Sequence, residues 1–130
     1  MQDHRKLRVW HLAHELAQEV IATLPPRLAR AVPGLRAQAI RAAISVPANL
    51  VEGCGRGSRA EFLHFVQVAI ASLNELEEYL DLARGAGMLR SDAHATLEHK
   101  LVQTRKLSIG LARTLSQRLA QQLPADSQPR

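Results

Sequence analysis

Gly53-Cys54-Gly55-Arg56-Gly57-Ser58 puts a thiol, a guanidinium and three glycines in one short run, and two spaced pairs that contain histidine, Glu61 with His64 and His11 with His14, add further groups able to do chemistry. Glu61-x-x-His64 has the spacing of a di-iron carboxylate bundle, in which a second such pair and two more glutamates complete the site. That second pair is missing. His11 and His14 share a helix face with Glu15 adjacent but have no third ligand, which fits a solvated surface pair better than a tetrahedral metal centre. Cys54 would need a neighbouring base to act as a nucleophile, and no histidine is close in sequence, so it reads as a small buried residue. The glycine run lacks the Gly-Lys-Ser/Thr ending and the preceding strand of a nucleotide-binding loop. Its simplest role is a tight turn, although glycines ahead of a helix can offer amides to an anion, with Arg56 and Arg59 adding charge. No catalytic set, metal or cofactor is expected, and the chain reads as a non-enzyme.

These residues are positioned by helices. From Lys6 to Leu24, apolar residues recur at steps of three and four until Pro25-Pro26 stops them. After a loop through Pro33-Gly34, a second stretch from Leu35 to about Gly53 carries Ala39, Ile40, Ala43, Ile44, Val46, Leu50, Val51 and Cys54 on one arc. Pro47 falls inside it, and one helix bent at Pro47 is expected. Arg41, Ser45, Asn49 and Glu52 make a polar stripe within about 80° on the other side. That stripe suits a solvated face, while Ser45 and Asn49 flank Pro47 and suit repair of freed carbonyls or a bond across a subunit contact. Ser58-Arg59-Ala60-Glu61 has capping-box spacing and starts a third helix, which turns Phe62, Phe65, Val66, Ala69, Ile70, Leu73, Leu76, Leu80 and Ala83 inward and ends near Gly85 and Gly87. Ser91 is placed as the cap of a fourth helix with an inward stripe from Leu97 through Leu119 that includes Thr104 and Ser108. Four amphipathic helices on short connections imply an all-α, antiparallel up-down-up-down bundle. Residues 1–122 form the expected single domain and 123–130 a flexible tail.

The 130 residues are 46% hydrophobic and 3% aromatic, a core of Leu, Ala, Ile and Val with its four aromatics mostly buried and no array for stacking unpaired bases. Net charge is +5, and residues 1–60 hold nine basic and four acidic side chains against eight of each in 61–130. Up-down threading gathers Arg5, Lys6, Arg8, Arg56, Arg59, Arg113 and Arg118 at one end against Asp3, Glu52 and Glu61, an excess of four positive charges. The opposite end receives Glu75, Glu77, Glu78 and Asp81, offset by Arg27, Arg30, Arg36, Arg84 and Arg90 from the loops. A single cysteine, no apolar signal region and no stretch of about 18–20 apolar residues make a cytoplasmic protein without a membrane partner the expectation.

Lys6-Leu7-Arg8-Val9-Trp10, Arg41-Ala42-Ala43-Ile44-Ser45-Val46-Pro47-Ala48-Asn49-Leu50-Val51-Glu52-Gly53, Arg56-x-Ser58-x-x-Glu61-Phe62 and Ser72-Leu73-Asn74-Glu75-Leu76-Glu77 together resemble the four-helix-bundle family of 23S rRNA intervening-sequence proteins over about residues 6–119. Ala71 stands where the family pattern has glycine. The resemblance implies an antiparallel bundle assembling as a ring-like homopentamer. It also implies kinship with the accessory protein of diversity-generating retroelements, a basic pentamer that contacts nucleic acid and a reverse transcriptase. It offers no catalytic residues. Sequence and resemblance together favour an oligomer that binds RNA or DNA backbone through Arg56 and Arg59, then Arg5, Lys6 and Arg8, with Arg113 and Arg118 nearby. The alternative is a protein-interaction scaffold or accessory subunit for which nucleic acid is irrelevant.

Overall fold

A computed structural model describes residues 2–122; the expected tail at 123–130 lies outside the described residues. A 3-10 turn at His4–Lys6 precedes four long helices and one short one: α1 (Arg8–Thr23), α2 (Leu28–Ala31), α3 (Leu35–Gly55), α4 (Arg59–Gly85) and α5 (Ser91–Gln122). Each long helix packs on its sequence neighbour and α1 closes the ring against α5, the arrangement of an up-down-up-down bundle. No strand occurs among the described residues.

The first helix starts two residues later than its apolar pattern, because Leu7 is extended and separates the 3-10 turn from α1. Val9, Ala13, Leu16, Ala17 and Val20 face inward, and Leu24, extended ahead of Pro25, ends the run. The expected loop contains a turn of helix, α2, whose Leu28 is fully buried and plugs the bundle end. Pro47 stays within one unbroken α3.

The inward arc of α3 is narrower than its apolar sequence suggested. Ala39, Ala42, Ala43, Val46, Leu50 and Cys54 are buried, whereas Ile44 and Val51 are 47% and 39% exposed. The reason is the close approach of α4: a Cβ on Gly53 would lie 2.8 Å from Phe62 Cδ1 and 3.1 Å from Phe65 Cβ, so small residues face the partner and bulkier ones are turned aside. The polar stripe does not behave as one surface either. Arg41 and Glu52 are exposed, but Ser45 and Asn49 are half-buried. Asn49 Nδ2 donates to the Ser45 carbonyl at 2.7 Å and to Ser45 Oγ at 2.9 Å, and Ser45 Oγ meets Ser72 Oγ of α4 at 2.8 Å. The carbonyl freed by Pro47 belongs to Ala43, two residues before the one Asn49 engages and on the other side of the helix, so this is a polar bridge within the chain and not local repair.

Ser58 caps α4 by accepting from Glu61 N–H at 3.2 Å. At the other end Gly87, at φ 74°, allows Met88 N–H to reach Ala83 O and Gly87 N–H to reach Arg84 O, a paired helix stop that needs a left-handed residue. Ser91 is inside α5 and not its cap: the His94 N–H bonds to Arg90 O, and the carboxylate that serves the first turn is Asp92, accepting from Ala93 N–H. Thr104 and Ser108 occupy the core by donating their hydroxyls to the Lys100 and Thr104 carbonyls. Of the four aromatics only Phe62 is buried; Trp10, Phe65 and Tyr79 are half-buried.

Ion pairs join one helix to the next. Lys100 bridges Glu19 at 2.6 Å and Glu15 at 3.3 Å, and those hydrogen bonds raise its pKa. Arg105 grips Glu77 with two bonds of 2.9 and 3.2 Å, holding the Glu77 carboxyl below its ordinary value. Thus Glu77 is balanced by α5 and not by loop arginines, and Arg36 instead donates to the Leu24 carbonyl.

Candidate nucleic-acid interface

The C-terminus of α3 and the N-terminus of α4 meet across Arg56–Ser58, and the chain start is tied to them by a bond from Gln2 N–H to Cys54 O of 2.9 Å. A depression of about 180 Å³ opens there, lined by Gln2, Cys54, Arg56, Gly57, Ser58 and Arg59 among others. Ser58 Oγ takes the Glu61 amide and the helical ladder begins with Phe62 N–H on Ser58 O, so the Arg59 and Ala60 amides have no partner within their own helix. Two guanidinium groups, two helix-start amides and the positive end of a 27-residue helix share one rim.

Arg56 is held from two sides. Its Nη2 lies 2.7 Å from Glu52 Oε1, and its Cζ lies 5.1 Å from the Phe65 ring centroid. The pair with Glu52 is about half exposed on each side, so solvent screens it and a phosphate can compete for the remaining guanidinium donors. Arg56 is the one of the seven predicted basic residues that makes an ion pair among the described residues. Cys54, 2% exposed beneath the depression, has its thiol pushed up by burial and then by the Asp3 charge, the opposite of an activated nucleophile.

All seven predicted cations are exposed, but they do not form one cluster. Arg56 and Arg59 share the rim. Arg8 lies farther along the bundle and lines a second depression with Leu12, Gln103, Lys106 and Leu107, bringing in Lys106, a cation the sequence did not single out. Because Arg105 sits opposite Glu77, Arg113 and Arg118 follow about 12 and 20 Å farther down α5, toward the start of α4. Arg5 and Lys6 ride on the 3-10 turn, which is anchored to α1 by rings. His4 lies edge-on to Trp10 with centroids 4.8 Å apart, His14 stacks on it at 4.9 Å, and His11 donates through Nε2 to the Arg5 carbonyl at 2.7 Å. The His11 and His14 pair is therefore a support for the basic N-terminal segment. Glu61 and His64 are both exposed on α4, with His64 edge-on to Phe65 at 5.2 Å.

Each sequence motif along α3 and the start of α4 has a physical role. Ser45 and Asn49 bridge α3 to α4, Gly53 permits their close approach, Glu52 holds Arg56, and Ser58 starts the next helix. The family described as 23S rRNA-intervening sequence protein matches residues 5–110, which spans the helices that build both depressions. The chain belongs to that family. No curated protein matches the chain. For an intervening-sequence protein, the bundle accounts for the matched segments as one seam: three of the four lie on α3, on α4 or in the turn between them. Among the described residues, no helix of this family member is long and apolar enough to cross a membrane.

Proposed function

We propose that this intervening-sequence protein is a non-enzymatic, oligomeric bundle that binds RNA or DNA backbone through the turn joining α3 to α4. The observation that carries the proposal is the rim on which Arg56, Arg59 and the unpartnered first-turn amides of α4 converge. Phosphate is the ligand chemistry this combination fits, since charge and amide donors recognise it without reading bases. With a single ring, Trp10, surrounded by histidines and no row of exposed aromatics, stacking adds little sequence preference.

Assembly of several copies would multiply the rim, and avidity turns weak phosphate contacts into useful binding. A homopentamer is the form the family resemblance suggests. Support for self-association comes from Ile44 and Val51, exposed one above the other on α3 with Ala48 between them. The same apolar strip is what would favour the alternative, a scaffold docking a different protein such as a reverse transcriptase.

Filter-binding titrations across salt, with single-stranded RNA and duplex DNA, test the proposal. Each lost phosphate contact should lower the magnitude of the log–log salt slope by about 0.7–0.9. Arg56→Ala with Arg59→Ala is expected to weaken binding of every sequence alike and flatten that slope. Unchanged affinity in the double variant, or no binding at low salt, overturns it.

A further inference from the structure

The seam between α4 and α5 carries a second constellation, far from the basic rim. Glu77 and Asp81 are one turn apart on α4, and His94 and Glu98 are one turn apart on α5, so each helix presents two potential ligands on one face. One ligand atom from each of Asp81, His94 and Glu98 lies within 4.8 Å of the other two. His94 is 8% exposed, with Nε2 2.7 Å from Asp81 Oδ1. Glu98 Oε2 is withdrawn from solvent and meets no hydrogen-bond donor. What it faces is the Glu77 carboxylate, already engaged in two bonds to Arg105. Glu77 and Asp81 against the one guanidinium of Arg105 leave one negative charge in excess, and release of the Glu98 proton makes it two.

We propose that Asp81, His94 and Glu98 form a binding site for one divalent cation of the zinc class, clamping α4 to α5. An imidazole nitrogen with two carboxylate oxygens is a borderline ligand set that suits Zn²⁺ or Co²⁺ and is poor for Mg²⁺ or Ca²⁺, which take oxygen alone. Tetrahedral ligands at about 2.0–2.1 Å from the metal stand roughly 3.4 Å apart. The Asp81–His94 contact must therefore open slightly and Glu98 must draw in. Both adjustments fall on side chains that can make them: Asp81 is half-exposed, and Glu98 is long. Glu77 remains with Arg105, which makes it an outer partner that fixes charge and not a fourth ligand. The exposed side of Asp81 leaves the fourth position to water.

The burial of His94 and of Glu98 Oε2 separates this cluster from ordinary surface acids. Without a cation, only a proton shared with Glu77 can satisfy Glu98 Oε2. A divalent metal would take the place of that proton, which is released to solvent, and cancel the two negative charges then in excess. Sequence spacing could not find the site, because its ligands come from two helices whose register is set by packing. The pairs the sequence did offer, His11 with His14 and Glu61 with His64, each lie on a single helix and lack a third group.

The test uses the full-length protein after chelator treatment, titrated with Co²⁺ and followed by visible absorption, then with Zn²⁺ as competitor. One Co²⁺ per chain with the intense d–d bands of a tetrahedral site, bleached by one equivalent of Zn²⁺, is expected. Asp81→Asn changes a half-exposed side chain and keeps the fold, which circular dichroism verifies; it should weaken binding at least tenfold. His94→Gln should abolish the spectrum, while His11→Ala with His14→Ala should leave it intact. Absence of a tetrahedral spectrum overturns the proposal, as does binding that survives Asp81→Asn or disappears with the His11 and His14 pair.

Discussion

The rim at the α3–α4 turn and the seam between α4 and α5 handle charge in opposite ways. At the rim, residues close in sequence place two guanidinium groups in solvent, and the one ion pair there, Glu52 with Arg56, is exposed. In the seam, groups separated by 13 to 28 residues meet behind partial burial: Arg105 with Glu77, and His94 with Asp81. Exposed charge is cheap to keep and free to meet a ligand, whereas half-buried charge couples helices and becomes sensitive to protonation. The first region suits an electrostatic interface and the second a latch.

Three substitutions probe this contrast. The largest effect is expected from Gly53→Val, because even a Cβ meets Phe62 at 2.8 Å and a branched side chain must push α4 away. A loss of about 2–3 kcal/mol in denaturant unfolding is expected. If stability is unchanged, the close approach of α3 to α4 beneath the rim is not what orients these helices, and the reason given for turning Ile44 and Val51 outward fails.

Glu98→Gln comes next. The Glu98 carboxyl is pushed up from 4.5 to about 7, chiefly by its hydrogen bond with Glu77 and then by burial. The folded chain therefore retains this proton across a window in which the unfolded chain has released it. Glu98 makes stability fall as pH rises from about 4.5 to about 7, with no further loss above that. The amide variant removes this contribution. It should be more stable than the parent at pH 8 by about 1 kcal/mol, with a flatter pH profile below neutrality, as read by urea midpoints of the chelator-treated protein at several pH values. A parent profile that is flat across the same window would show that the seam carries no shared proton.

The smallest effect belongs to Arg56→Ala. Losing an exposed pair with Glu52 should change stability by no more than about 0.5 kcal/mol, measured by thermal unfolding. A loss several times larger would mean that the stacking of Arg56 on Phe65 is structural, and the rim would then resemble the seam more than it differs from it.

Features governed by neighbours in sequence were legible beforehand. Ser58 caps where its spacing to Glu61 placed it, and Gly87 takes the left-handed stop after α4. The periodic faces of α1 and α4 run inward much as their apolar spacing indicated. Features governed by distant partners were not. Ile44 and Val51 look like core residues until α4 closes on Gly53, and no spacing in the sequence singles out His94, which is buried opposite Asp81. The short helix α2 was hidden because a four-residue turn carries too little periodicity to stand out between prolines.

Helix periodicity, proline and glycine stops, and short connections were enough to specify an antiparallel bundle, because each acts within a few residues of chain. Which arginines share a rim, which serine meets which serine, and which carboxylates are forced together were decided by the rotation and register of each helix against the next. Those depend on side-chain volumes at contacts such as Gly53 with Phe62, where a single missing Cβ sets how closely two helices approach and thus which side chains meet across them.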